Sequence, residues 1–295
     1  MLTIDPQKIS GFRSFMGDQG KQKSTLESYC RDMANFMNFI TESNIPSGDI
    51  GIQVLEDYKS WLLNRGSKPS SIRRAMIAIR MFFRWLEESG QLHGNPFEDL
   101  PVPAHEHLNA REIPTDKVTK MLEIARLGPN SLKADRDVAL LLLLSREGLK
   151  ASEVVSLSWS SFFASGDMGR LTINGDRGRT ISLEAETTCA LKAFRKNIQN
   201  DPKTKDSFTT QAPLFVSFKG PDARSVVSGI TRHGLKFAIY ELGEAVELRQ
   251  LNAEQLRHIA MAHKISLGFT PEMVMNHLGL RRIGNIGKHL PQADS

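Results

Sequence analysis

Cysteine is almost absent from the chain. Of 295 residues only Cys30 and Cys189 carry a thiol, and they stand far apart. Two such thiols make no disulfide framework, and no Cys/His cluster has metal-ligand spacing. A reducing, cytoplasmic setting with neither metal nor cofactor is therefore expected. Long apolar runs are missing too: the longest, Val138 to Leu144, falls far short of the ~20 residues a bilayer demands. The N-terminus has no basic patch followed by an apolar run, so no secretory signal is expected. Tyrosine is scarce. Tyr29, Tyr58 and Tyr240 are the whole supply, and none follows residue 240. The formal net charge is only +5. Residues 1–105 balance 12 basic against 12 acidic side chains, so the excess, 26 against 21, lies after residue 105. A mildly basic surface attracts phosphate polyanions through counterion release, or simply keeps a protein soluble.

What is present is helical periodicity. Residues 24–41 place Leu26, Tyr29, Met33, Phe36, Met37 and Ile40 on one face, with Ser24 or Thr25 as cap. Residues 54–65 predict a second helix stopped by Gly66, and 70–89 a third stopped by Gly90. These form a small helical bundle. The stretch Asn95 to Pro114 holds Pro96, Pro101, Pro103 and Pro114 and reads as a linker. A boundary near residue 108 is expected, with domains 1–107 and 108–295.

Beyond the linker, Thr115 caps a helix to Arg126. Residues 135–146 are apolar nearly all round, which predicts a helix at the centre of a large core. A short helix follows over 151–157. Leu171 to Ile173 and Thr180 to Leu183 flank Asn174-Gly175-Asp176-Arg177-Gly178, a hairpin signal. Further helices are expected over 184–200, 225–242, 253–267 and 271–278, with Tyr240 in or near a core. The fold class expected is mainly α with a small β-hairpin or sheet.

Three basic groups stand out. Arg73, Arg80 and Arg84 share one face of the third helix, with Lys68 and Arg74 close by. Such a face suits DNA phosphates, or it is a solvated helix face. Arg177 and Arg179 sit at the hairpin turn. Arg257 and His258 lie on a later helix, with His263 five residues beyond His258.

The order of the segments carries more than any one of them. The run RDVALLLLLSREGLKASEVVSL, Arg136 to Leu157, resembles the opening of the tyrosine recombinase (phage integrase) catalytic domain. There an apolar helix enters a Gly-Leu-Arg-x-Ser-Glu turn. The hairpin falls at that family's basic β-turn, and Leu214-Phe-Val-Ser217 at its short Leu-Phe segment. Glu254-Gln-Leu-Arg-His258 is similar to its His-x-Leu-Arg-His box, and Asn276-His-Leu-Gly279 to its Leu-Leu-Gly-His box. The N-terminal bundle and its Asn95-Pro96 exit resemble the family's SAM-like core-binding domain. The resemblance spans nearly the whole chain and is Xer-like.

The resemblance implies a C-shaped clamp on duplex DNA and phosphoryl transfer through a tyrosyl-phosphate. Two arginines and a histidine stabilise the phosphate oxygens, and a lysine protonates the leaving oxygen. Carried over, those jobs fall on the wrong residues. The first arginine falls on Lys150, which lacks the bidentate fork. The lysine falls near Asn174, with Arg177 close. The box histidine falls on Glu254, a carboxylate where phosphate belongs. Arg257 matches the second arginine. The later histidine falls on Leu280 and the nucleophile near His289. No tyrosine follows Arg257 at all.

A non-cleaving, recombinase-like protein is therefore expected. Its duplex-DNA surface would use Arg73, Arg74, Arg80, Arg84, Lys150, Arg177, Arg179, Arg257, Arg281 and Arg282. It would act as an accessory, alone or with an active recombinase or a second copy, and without a membrane. Two alternatives stay open. One is an active recombinase with an unusual nucleophile such as His289, or one supplied in trans. The other is a protein-interaction module whose DNA surface has decayed.

Overall fold

The computed structural model describes residues 6–98, 113–128, 131–175, 177–202, 204–219 and 225–281. The chain divides into two compact units, Met1–His107 and Leu108–Ser295. Among the described residues, no helix is long and apolar enough to cross a membrane.

The first unit is built from α1 (Pro6–Asp18), α2 (Lys23–Glu42), α3 (Ile52–Asn64) and α4 (Pro69–Glu88). Helix α1 was not expected from the pattern. Gly11 on it faces Trp85, whose ring would stand 3.0 Å from a Cβ there. Helix α2 starts at Lys23 with Gln22 as its cap, so neither Ser24 nor Thr25 caps it. Both hydroxyl residues already lie inside the first turn. Edge-to-face aromatic pairs fill the core, with ring centres 5.3 Å apart for Phe12–Phe82, 5.0 Å for Phe36–Tyr58 and 4.6 Å for Phe83–Phe97. These rings come from α1, α2, α3, α4 and the segment after α4, so together they lock the bundle.

The second unit opens with α5 (Thr115–Arg126) and α6 (Ser131–Ser145). Thr115 is the first residue of α5, and Pro114 occupies the cap position. Residues 138–144 of α6 are buried all round, as a helix with no polar face must be. The short α7 (Ala151–Val154) follows a turn at Gly148, whose φ is +69°. A Cβ at Gly148 would also stand 2.9 Å from the Leu278 side chain, so two constraints favour glycine there.

Next come β1 (Phe162–Ser165), β2 (Met168–Ile173) and β3 (Arg179–Leu183), an antiparallel sheet in the order β1-β2-β3. The expected hairpin is β2–β3, with Leu171 opposite Ile181. Strand β1, which pairs Phe162 with Leu171, is an addition. Phe163 is exposed although apolar, so the Phe162-Phe163 pair hides the in-out alternation of β1 from the sequence. Leu171, Ile173, Ile181 and Leu183 face the core beneath α8 (Ala185–Asn200).

The region expected to be one helix over 225–242 is in fact two elements. β5 (Ser225–Gly229) pairs antiparallel with β4 (Val216–Lys219), and α9 (Arg232–Glu244) follows. Two adjacent valines between serines and a glycine favour an extended chain. Thr231 then starts the helix, its Oγ1 accepting from Gly234 N at 3.1 Å. Tyr240 on α9 is 47% exposed, so it lies on the outer face and not in the core. α10 (Ala253–Ser266) and α11 (Pro271–Leu278) complete the unit. A reciprocal cap sets α10: Asn252 Oδ1 accepts from Gln255 N, and Gln255 Oε1 accepts from Asn252 N, both at 3.0 Å.

Candidate nucleic-acid interface

α7 begins at a carboxylate that gathers cations. Glu153 Oε2 accepts from the backbone N–H of Lys150 at 2.8 Å, which closes the first turn of the helix. Arg179, at the start of β3, forks onto the same carboxylate: Nη1 reaches Oε1 at 2.8 Å and Nη2 reaches Oε2 at 3.1 Å. Lys150 Nζ stands 3.8 Å from Oε1, and Arg257 Nη1 3.9 Å from Oε2. Burial opposes charge on Glu153, but the Arg179 fork, the Lys150 N–H and the nearby guanidinium charges hold it below the usual carboxylate range.

The four residues have different access to solvent. Arg257 is 3% exposed. Its Nη1 donates to Gly148 O and its Nη2 to Leu278 O, both at 2.6 Å. The guanidinium thus ties the Gly148 turn to the end of α11. The Lys150 side chain, by contrast, is 40% exposed. Burial pulls its ammonium below the ordinary lysine value; Glu153 acts against this, and Arg257, Arg179 and Arg177 add to it. A lysine crowded by three guanidinium groups gains from any anion that comes to it.

The other expected residues are distributed as follows. Asn174 and Arg177 are exposed at the β2–β3 turn. Glu254 is exposed on the first turn of α10, its Oε1 3.9 Å from His258 Nε2. Burial holds the Arg257 guanidinium below its ordinary value, with Glu153 and Glu254 acting against this. Leu280 packs with Met261, Val274 and Leu278 in a small apolar cluster, and Arg281 is exposed. Arg282 and His289 lie outside the described residues. On α4, Arg84 is exposed and Arg73 and Arg80 are half-buried. Arg74 is committed internally: its Nε and Nη2 grip Asp32 at 2.7 and 2.9 Å.

Behind this face lies an ionic network that the sequence did not disclose. Lys264 of α10 is 1% exposed and Glu147, just after α6, is 0% exposed. Lys264 Nζ donates to Glu147 Oε2 at 2.8 Å and to Glu184 Oε1 at 2.6 Å. Glu147 Oε1 accepts from Glu184 N at 2.9 Å, and His277 Nε2 stands 3.2 Å from Glu147 Oε2. His263 Nε2 is 3.1 Å from Glu184, and its Nδ1 is 3.2 Å from Arg146 Nη1. Burial works against charge on Glu147, yet His277, Lys264 and the Glu184 N–H hold its carboxyl below the usual range. The one available signal was placement: Lys264 shares a helical face with Leu256 and Ala260, where a lysine is out of place.

Glu184 sharpens this into an acid-stability prediction. Burial opposes its charge, but His263 and Lys264 lower its pKa from 4.5 to about 2. A carboxylate whose folded value is the lower one stabilises the fold fully above the unfolded value, and that stabilisation is lost as pH falls through the folded one. Unfolding by urea should therefore become easier between pH 4.5 and about 2. Glu184→Gln should flatten that dependence, and identical acid profiles for the two proteins would refute the assignment.

Comparison with known proteins follows the same lines. Residues 9–91 match the family described as "Phage integrase, N-terminal SAM-like domain". The chain is 23% identical over 295 residues to "Tyrosine recombinase XerC" of Roseiflexus sp. (strain RS-1), covering 99% of this chain and 91% of that protein. It is 28% identical over 269 residues to "Tyrosine recombinase XerC" of Rhodospirillum centenum (strain ATCC 51521 / SW), covering 83% and 77%. Among solved structures, the Tn1549 transposon integrase in complex with circular intermediate DNA shares the fold. Its TM-score is 0.69 at 14% identity, over 97% of this chain and 96% of that one. The chain is thus similar to Xer-type tyrosine recombinases along nearly its whole length, its N-terminal residues match the SAM-like domain of phage integrases, and its mainly helical fold with small antiparallel sheets is shared with the Tn1549 transposon integrase.

Proposed function

We propose that the protein binds duplex DNA without cleaving it, as an accessory or partner in site-specific recombination or integration in the cytoplasm. The observation that carries the reading is Lys150. Its half-exposed ammonium is crowded by Arg177, Arg179 and Arg257, a setting that a phosphate relieves. Arg177 at the hairpin tip and Arg84 on α4 would add backbone contacts, each in its own unit.

The non-cleaving half rests on chemistry that lacks its parts. No tyrosine follows Arg257. Both terminal nitrogens of Arg257 already donate to carbonyls. Glu254 puts a carboxylate at the position where the family has a histidine, and Leu280 is a hydrocarbon packed on hydrocarbon. Removing one oxyanion-stabilising donor alone costs roughly 10²–10³ in rate. Here several are altered, and the nucleophile with them.

The test uses nicked duplex substrates that trap any protein–DNA bond, together with duplex titrations at several salt concentrations. Affinity should fall with salt, with a log–log slope of about −0.9 per phosphate contact. No covalent product should form. A protease-sensitive DNA adduct would overturn the non-cleaving half. Binding that ignores salt, or none at all, would overturn the DNA half and leave a protein-interaction module.

A further inference from the structure

The sequence places Arg179 at a hairpin turn, as one of the DNA contacts. Its side chain is only 10% exposed, and its nitrogens are spoken for. Nη1 and Nη2 fork onto Glu153, Nε donates to His277 O at 2.7 Å, and Nη1 also reaches Arg177 O at 3.2 Å. One planar group thus joins three segments: the Lys150 turn through Glu153, the hairpin tip through Arg177, and the end of α11 through His277. A guanidinium has the donors and the flat fork for this; an ammonium, which is a point charge, does not. The chain also makes room for it. Gly279 has φ +64°, and a Cβ there would stand 2.7 Å from Arg179 Nη1.

We infer that Arg179 is a positioning residue for the phosphate-binding face, acting on DNA through Lys150 and Arg177 and touching no phosphate itself. The inference rests on the DNA-binding reading above. The chain of contacts is direct. Arg179 holds the Glu153 carboxylate, and that carboxylate holds the Lys150 N–H. While the fork is in place, Lys150 Nζ stays at ion-pair distance from Glu153, 3.8 Å, and is not drawn into a hydrogen bond. Without the fork, Glu153 turns to the nearest remaining cation, Lys150, and an outward-facing ammonium becomes an internal salt bridge.

The experiment compares the full-length protein with Arg179→Gln, Arg179→Lys and Lys150→Ala. Hydrogen exchange at the Lys150 amide is followed without DNA, and duplex affinity is followed against salt. Exchange at Lys150 should speed up in both Arg179 variants. Arg179→Lys keeps the charge yet should lose about tenfold in affinity, because lysine cannot bridge the three segments. Its salt slope should shrink by about 0.9, matching Lys150→Ala, whereas a folded variant with all its contacts would keep the slope. Should Arg179→Gln not fold, Arg179→Lys decides alone. Unchanged exchange at Lys150, or near wild-type affinity and slope in Arg179→Lys, overturns the inference. A wild-type protein without salt-dependent binding defeats the DNA reading instead, and the exchange result then still decides whether Arg179 fixes Lys150.

Discussion

Lys264→Met should cost the second unit about 3–5 kcal/mol, because it strands buried carboxylates without their cation. For a unit of this size that lowers the thermal midpoint by about 10 °C. Glu147 has no solvent to turn to, and its remaining partners are His277 and the Glu184 N–H. Glu184 loses the ammonium at 2.6 Å and keeps only His263. The double variant Glu147→Gln/Lys264→Met should recover much of the loss, since an ion pair removed as a pair leaves less charge uncompensated. Calorimetry of the wild type, Lys264→Met, Glu147→Gln and the double variant checks this. A single-variant loss under about 1 kcal/mol, or a double variant worse than both singles added, would show that the network does not act as a unit.

Arg257→Met is expected to separate support from recognition. It leaves the Gly148 and Leu278 carbonyls without the donors they now have at 2.6 Å. Each buried group left unsatisfied costs about 1–3 kcal/mol, so a stability loss of about 2–5 kcal/mol follows. The folded fraction, however, should keep its salt slope for duplex DNA, because a side chain 3% exposed makes no backbone contact of its own. Lys150→Ala should do the opposite: little change in unfolding, and a slope smaller by about 0.9. Urea unfolding and salt titration of the same preparations give both numbers. An Arg257→Met protein that stays as stable as the wild type but loses slope would make Arg257 a phosphate ligand, and the non-cleaving argument would lose its main structural support.

Legibility from the sequence followed local signals. Helices α5, α10 and α11 carry clear periodicity, α10 and α11 polar caps and α11 a proline at its start, so their limits are close to those expected. The Lys150–Glu153 turn and Arg257 were visible through the resemblance of their segments to the tyrosine recombinase motifs. β1 and the β4–β5 hairpin were not visible. Phe163 is exposed on β1 although apolar, and the valines of β5 directly precede a helix whose pattern absorbs them. Pairing energy across a sheet decided those segments, and no window along the chain records it.

The chain's own letters determined that it is helical in both parts, that it holds only two cysteines and no apolar run near the ~20 residues of a membrane helix, and that the region after Arg257 holds no tyrosine. These are properties of composition and period, and they hold whatever the packing. Only the tertiary structure decided which charged groups face outward. Arg74, Arg179 and Arg257 look like surface cations in the sequence, yet each is committed to protein atoms. Glu147 carries no sign of its partner in the sequence and proves to be buried against Lys264. Charge is a local property, but its use depends on what lies within about 3 Å, and those neighbours come from segments far apart along the chain.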